Sequence, residues 1–291
     1  MKKHAAWAAV VMLAAVPAWA QREVNETRPL SPTGTVTVSN IEGSVEVIGW
    51  SNAQVEITGT LGADVEELKI DGDSDALTIE VKAPKHPEWL ETDLVLRVPV
   101  AASIEVETVS ATIEVEGVTG SVALESVSGW ATTSGRPAEL SIETVSGDIT
   151  VAEAEPRTDL ASVSGSITVE LATGRLDAET VSGDIRVANG SLESASFETV
   201  SGSISYEGDL VGDGRYQFES MSGGITLVVP PGVSAEFDVA TFSGDIDNEI
   251  GPRPQRTSKF TSEQELEFST GSGGAEVTIE SFSGSIKIKT R

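Results

Sequence analysis

The chain has 291 residues, with 46 acidic side chains against 19 basic ones, for a formal charge of −27. Nucleic acid and anionic membrane surfaces repel such a chain, so both are excluded as natural partners. It contains no cysteine, which excludes disulfides, thiolate metal sites and a lipid-anchored cysteine.

In chain order, Met1-Lys2-Lys3 supplies a positive start, Ala5 to Val16 an apolar run, and Ala18-Trp19-Ala20 a small-x-small exit. This is the pattern of a secretory signal peptide over residues 1–20. No later segment reaches the ~20 apolar residues of a transmembrane helix, so the expected destination is a periplasm or the exterior, with a Gram-negative envelope preferred. Removal of Lys2 and Lys3 takes the charge from −27 to −29. Residues 21–33, with Pro29 and Pro32 among polar residues, read as a linker.

From Gly34 the pattern alternates as half-buried strands do, in Thr35-Val36-Thr37-Val38 and again in Ser44-Val45-Glu46-Val47. Residues 34–103 are expected to form irregular N-terminal coils, and 104–248 the regular part of one domain reaching 291. The regular part repeats Glu143-Thr144-Val145-Ser146-Gly147-Asp148-Ile149. Copies start at Glu107, Glu125, Glu143, Ala161, Glu179, Glu198, Glu219, Ala240 and Glu280, spaced 18, 18, 18, 18, 19, 21, 21 and 40. A period near 20 marks a stacked architecture in which each unit buries its apolar face on its neighbours.

Three apolar columns are expected to form core ladders. One precedes each copy (Ile142 and its equivalents), one is the third position (Val145), and one is the seventh, with eight isoleucines in nine copies. The fourth position is always serine and the second always threonine or serine; turn chemistry and hydroxyl ladders account for both. Eighteen residues are too few for a strand, a crossover helix and a second strand. They suffice for one coil of an all-β solenoid of 18–21 residues per coil. An antiparallel β-sandwich, each copy a hairpin turning at Ser-Gly, is the alternative.

Residues 249–275 interrupt the period with Gly251-Pro252-Arg253-Pro254-Gln255-Arg256 and Ser269-Thr270-Gly271-Ser272-Gly273-Gly274, and read as a loop insertion. Arg253, Arg256 and Lys259 make the one local cluster of positive charge, hence a candidate partner contact. Trp130, in the aspartate place of the second copy, could stack on a sugar or fill the groove beside Ala131. Residues 276–291 form the last coil, whose Lys287 and Lys289 suit an edge strand.

The segments Gly34–Val38, Gly43–Trp50 and Leu94-Val95-Leu96-Arg97-Val98-Pro99, with the iterated Thr-Val-Ser-Gly-Asp-Ile, resemble the bacterial putative-adhesin family of exported and envelope-associated proteins, a family without assigned function. The resemblance spans about Gly34 to Ile288. It implies a right-handed β-solenoid and brings no catalytic motif.

Chemistry-bearing residues are few. Past the leader, His86 is the sole histidine, so neither a zinc constellation nor a supported Ser-His-Asp arrangement is expected. Asp148 and Asp184 fall two coils apart, ~9.6 Å by strand spacing, at the wide limit for an inverting glycosidase pair. The repeat itself explains them. The expectation is therefore an exported non-enzymatic solenoid, adhesin-like or envelope-organising, with no cofactor, binding an envelope protein or glycan. Polysaccharide processing on the same scaffold and an envelope-stress regulatory partner docking through 249–275 are the alternatives.

Overall fold

The computed structural model describes residues 22–86, 88–256 and 262–291. The expected signal peptide over residues 1–20 and the candidate contact Lys259 lie outside them. Among the described residues all regular structure is strand. The first seven are β1 (Arg22–Pro29), β2 (Thr35–Asn40), β3 (Gly43–Trp50), β4 (Gln54–Leu61), β5 (Glu67–Gly72), β6 (Ala76–Lys82) and β7 (Thr92–Pro99). Short pairs follow: β8 (Ser103–Thr108), β9 (Thr112–Glu116), β10 (Ser121–Ser126), β11 (Ala131–Ser134), β12 (Glu139–Thr144), β13 (Ile149–Ala154) and β14 (Arg157–Ser162). Then β15 (Ile167–Thr180), β16 (Ile185–Thr199) and β17 (Ile204–Ser220) each continue around a corner. The chain finishes with β18 (Ile225–Val229), β19 (Ala235–Thr241), β20 (Ile246–Asn248), β21 (Gln255–Arg256), β22 (Gln264–Thr270), β23 (Ala275–Ser281) and β24 (Ile286–Thr290).

Coil stacks on coil by parallel pairing, so the chain is a β-solenoid and the antiparallel sandwich is ruled out. Two ladders run its length. One reads β6, β2, β8, β10, β12, β14, then the C-terminal halves of β15, β16 and β17, then β23 and β19. The other reads β7, β3, β9, β11, β13, the N-terminal halves of β15 to β17, then β18, β24 and β20.

Spatial order departs from chain order at both ends. The last coil, β23–β24, is not terminal: it lies between β17–β18 and β19–β20, with Glu219 opposite Glu280 and Glu280 opposite Ala240. At the other end β2–β3 lie inside β6–β7. Lys287 and Lys289 therefore sit on an interior strand, against the expected edge, and Lys287 Nζ faces Asp247 at 3.5 Å and Glu249 at 3.7 Å. Segment 249–275, expected as a loop, contains β21 and β22, and β22 covers β19 as an antiparallel edge. Residues 22–29, expected within the linker, form β1 along β4. Both of its faces are largely open to solvent, which is why its polar sequence hides it.

The core lies between the ladders. The seventh-position column, from Ile113 through Ile149 to Ile246, is buried, and so is the column from Val106 through Ile142 to Val239. Each valine, leucine, isoleucine or phenylalanine among them contributes about 1.5–3 kcal/mol by leaving water. The third column is a correction. Val145 and its equivalents point outward, while the second-position hydroxyl residues point inward. Alternation simply continues from Ile142 (in) to Thr144 (in), and two successive outward residues, Val145 and Ser146, turn the corner before Gly147 points in again.

The lengthening of the period to 19 and 21 has a local cause. Register jumps at the far corner, by one residue between Gly174 and Arg175, and by three in the next coil, where Leu192 faces Leu210 but Ser194 faces Arg215. The extra residues arch over Tyr216, whose hydroxyl donates to the Leu192 carbonyl and accepts from Val211 N–H at 2.8 Å. Phe197, Tyr206, Tyr216 and Phe218 fill the wider interior with tilted and edge-on rings 5.3–6.0 Å apart.

Candidate functional site

At every Glu-Thr-Val-Ser-Gly corner the glycine has no room for a side chain. A Cβ on Gly147 would stand 1.8 Å from the Gly129 carbonyl oxygen, and the same holds at Gly129, Gly165, Gly183, Gly202 and Gly223 within 0.1 Å. Coils pack glycine on carbonyl, which forces one tight bend to superimpose on the next. Ala111, the one departure, stacks on the different turn at Asn40–Gly43, with Ser110 N–H donating to the Ile41 carbonyl at 2.7 Å.

The buried hydroxyls finish the bend. Thr144 Oγ1 donates to the Gly147 carbonyl at 2.7 Å. Ser162 Oγ, 3.0 Å from it, accepts from Gly165 N–H at 2.8 Å. Thr108 and Ser126 repeat this pairing two coils earlier. Thus the nearly invariant second position satisfies backbone groups that the corner would leave orphaned. Ser220 and Ser281, side by side in the ladder, are buried with no hydrogen-bond partner.

Stacking the bend creates a continuous groove of about 1140 Å³, floored by the hydroxyl column. Its ten rungs, from Asn40 to Thr241, span ~43 Å at the ~4.8 Å interstrand spacing. One wall is apolar. Six valines, Val109 to Val200, are each 45–48% exposed, and Met221 (59%), Phe282 (57%) and Phe242 (50%) continue the row. The Phe242 and Phe282 rings stack 5.0 Å apart at 8°, adjacent only because the last coil is inserted between β17 and β19. A run of exposed apolar residues this long is unusual on a soluble surface and marks a contact site.

The opposite wall is acidic. In spatial order it reads Glu107, Glu125, Glu143, Ala161, Glu179, Glu198, Glu219, Glu280 and Ala240. Among the described residues none of these carboxylates has a basic partner within 4.0 Å. Partial burial raises the Glu198 pKa, and the neighbouring Glu219 and Glu179 add to the rise. Like charges thus stand about one strand spacing apart; Gln217 Nε2 donates to Glu219, but among the described residues no cation sits beside the row.

The expected site residues do not assemble. Trp130 is 64% exposed beside Ala131 and does not fill a groove there. Arg253 and Arg256 are exposed around β21, and neither they nor Trp130 line the groove. His86 is exposed in a turn. Asp148 Oδ1 accepts from Ser166 N–H and Asp184 Oδ1 from Ser203 N–H, both at 2.8 Å, so each carboxylate ties one coil to the next. Among the described residues there is no group of three or more histidine, aspartate or glutamate side chains able to hold a metal, and no helix long and apolar enough to cross a membrane. The sequence did not disclose the groove, although strict alternation from Ile142 to Thr144 already pushes Val145 outward.

No curated protein matches the chain by sequence. Among solved structures it is similar to a protein described as a putative adhesin from Parabacteroides distasonis, at 13% identity and TM-score 0.47 over 92% of this chain and 97% of that one. A putative adhesin from Bacteroides fragilis matches at 11% identity and TM-score 0.41, over 93% and 97%. A Parabacteroides distasonis protein described as a putative lipid binding protein matches at 13% and 0.41, over 92% and 96%. The model of the Toastrack DUF4097 family matches residues 32–209 and 179–289, nearly everything after β1, and the chain belongs to that family.

Proposed function

We propose that this protein is an exported, non-enzymatic binding protein of the bacterial envelope, periplasmic or extracellular, that holds its partner in the groove. One observation carries the reading: an unbroken apolar wall of nine side chains faces an acidic wall across a shared floor. Neither wall is needed by the core, which the inward columns fill. The N-terminal leader pattern supports export, and an adhesin-like or envelope-organising role is the use of such a surface that fits that location.

Polysaccharide processing draws no support from Asp148 and Asp184, since each already holds a backbone N–H of the next coil. Docking through Arg253 and Arg256 is best tested by Arg253→Ala with Arg256→Ala. Deleting the whole segment would also remove β22 from the edge of β19.

The test of the main reading is capture from a bacterial envelope fraction by the tagged chain, beside Val145→Asp with Val181→Asp. Both positions are exposed, so circular dichroism should stay unchanged while capture is lost. Equal capture by the variant overturns the groove as the binding surface.

A further inference from the structure

Resting on the groove as the binding surface, we infer that its occupant is a cationic amphipathic helix, lying along the solenoid axis with its basic stripe on the glutamates and its apolar stripe on the opposite wall. Three observations point there.

First, Glu179, Glu198, Glu219 and Glu280 occupy four consecutive rungs with no basic partner among the described residues. A cationic stripe relieves their mutual repulsion, whereas an uncharged acyl chain would leave it in place. A second copy of this chain would add to it, since each carries a charge of −27.

Second, the facing wall becomes bulkier at the last two of these rungs and at the one beyond them, which carries Phe242. Met221 and Phe282 replace the valines there and are more exposed than any of them. Large apolar side chains with nothing over them, opposite the densest acidic run, ask for a ligand that is both apolar and basic. A purely polybasic strand would leave one wall unused.

Third, the pitch selects the conformation. Four rungs of the ladder cover ~14 Å; three turns of α-helix cover ~16 Å, while four same-side residues of an extended strand cover ~20 Å. A helix can set one basic residue per turn against successive glutamates, and a strand falls out of step after two.

The probe is a synthetic 18-residue peptide of leucine and lysine patterned at helical period. The controls are the same composition in strict alternation, the helical pattern with glutamate for lysine, and phosphatidylcholine vesicles. Binding to the full chain is followed by fluorescence anisotropy, and peptide helicity by circular dichroism. The expected result is binding of the helix-patterned lysine peptide with gain of helical signal. Glu198→Gln with Glu219→Gln should weaken it about tenfold, as two partly exposed ion pairs allow, and added salt should weaken it further. Equal binding of the alternating or glutamate peptide, an unchanged affinity in the double variant, or capture by vesicles alone overturns the inference. If no peptide binds while Val145→Asp with Val181→Asp still abolishes envelope capture, the occupant is wrong and the groove stands.

Discussion

The middle of the solenoid and its two ends are built from the same columns by different rules. Between β8 and β17 chain order is stacking order, each corner rests on the one before, and glycine meets carbonyl at every step. At the C-terminal end the chain overshoots, builds an outer coil, and places its last coil inside it; at the N-terminal end β2–β3 come first and β6–β7 are laid outside them before the chain returns to β8. Antiparallel strands then close the stack, β22 on β19 and β4 on β7. The middle is consequently modular. The ends are not, because each couples two coils that are separate in sequence.

Deletions should break this comparison most sharply. Removing residues 275–291 takes both parallel partners from β19 and β20 and leaves them only the open face of β17 and β18, against which their side chains are not packed in the native stack, so stability in denaturant titration should fall by much more than one coil's share. Removing 145–162, a similar length, joins Thr144 to Val163 and leaves every column in register. That variant should still unfold cooperatively with unchanged strand signal per residue, the loss being one repeat's share of stability.

A single methyl comes next. Gly147→Ala sets a Cβ against the Gly129 carbonyl at 1.8 Å, and backbone on both sides cannot move without shifting the neighbouring coils. A loss of more than about 3 kcal/mol is expected in denaturant titration.

Hydroxyls separate middle from end more finely. Thr144→Val deprives the Gly147 carbonyl of its donor and should cost about 1–2 kcal/mol. Ser220→Ala, near the inserted coil, removes a buried hydroxyl without a partner and should be neutral or stabilising by up to ~1 kcal/mol. If the two substitutions cost the same, the orphaned hydroxyl has a role that its surroundings do not reveal.

The smallest effect is electrostatic. Partial burial, with Glu219 and Glu179 beside it, makes the folded protein hold the Glu198 proton more tightly than the unfolded chain does. The stabilisation from that proton is present below the ordinary value of 4.5 and is lost as pH rises through the higher folded value. Glu198→Gln should therefore raise the melting temperature at pH 7 and leave it unchanged near pH 4.

Legibility in the sequence followed the physics of each position. The columns of Ile142 and Ile149 were readable because both hydrophobicity and period two placed them inward. Val145 was misplaced because its apolarity outweighed the alternation that Ile142 and Thr144 had already set. The error concealed the groove, since the same column is its apolar wall. Arg22–Pro29 gave no strand signal, as an edge strand exposed on both faces needs no apolar side chains. The order of Glu219, Glu280 and Ala240 in the stack could not be read at all. Copies with identical columns fit any slot, and only the 40-residue gap before Glu280 hinted that something was placed out of turn.

The inserted last coil also fixes an order in time. The chain leaves the ribosome, and on the sequence reading crosses a membrane, N-terminus first, so β19 and β20 are available before β23 and β24 exist. They carry the same inward residues, Thr241, Gly244 and Ile246, and so fit the open face of β17 and β18. Completion then requires that provisional occupant to yield its place, making the final step of maturation a displacement, not an addition. Pulsed proteolysis during cell-free synthesis tests this: residues 235–248 should be protected before residues 275–291 have emerged, exposed once, and protected again, whereas a single protection phase after the last coil is made would show that the slot waits empty for its own strands.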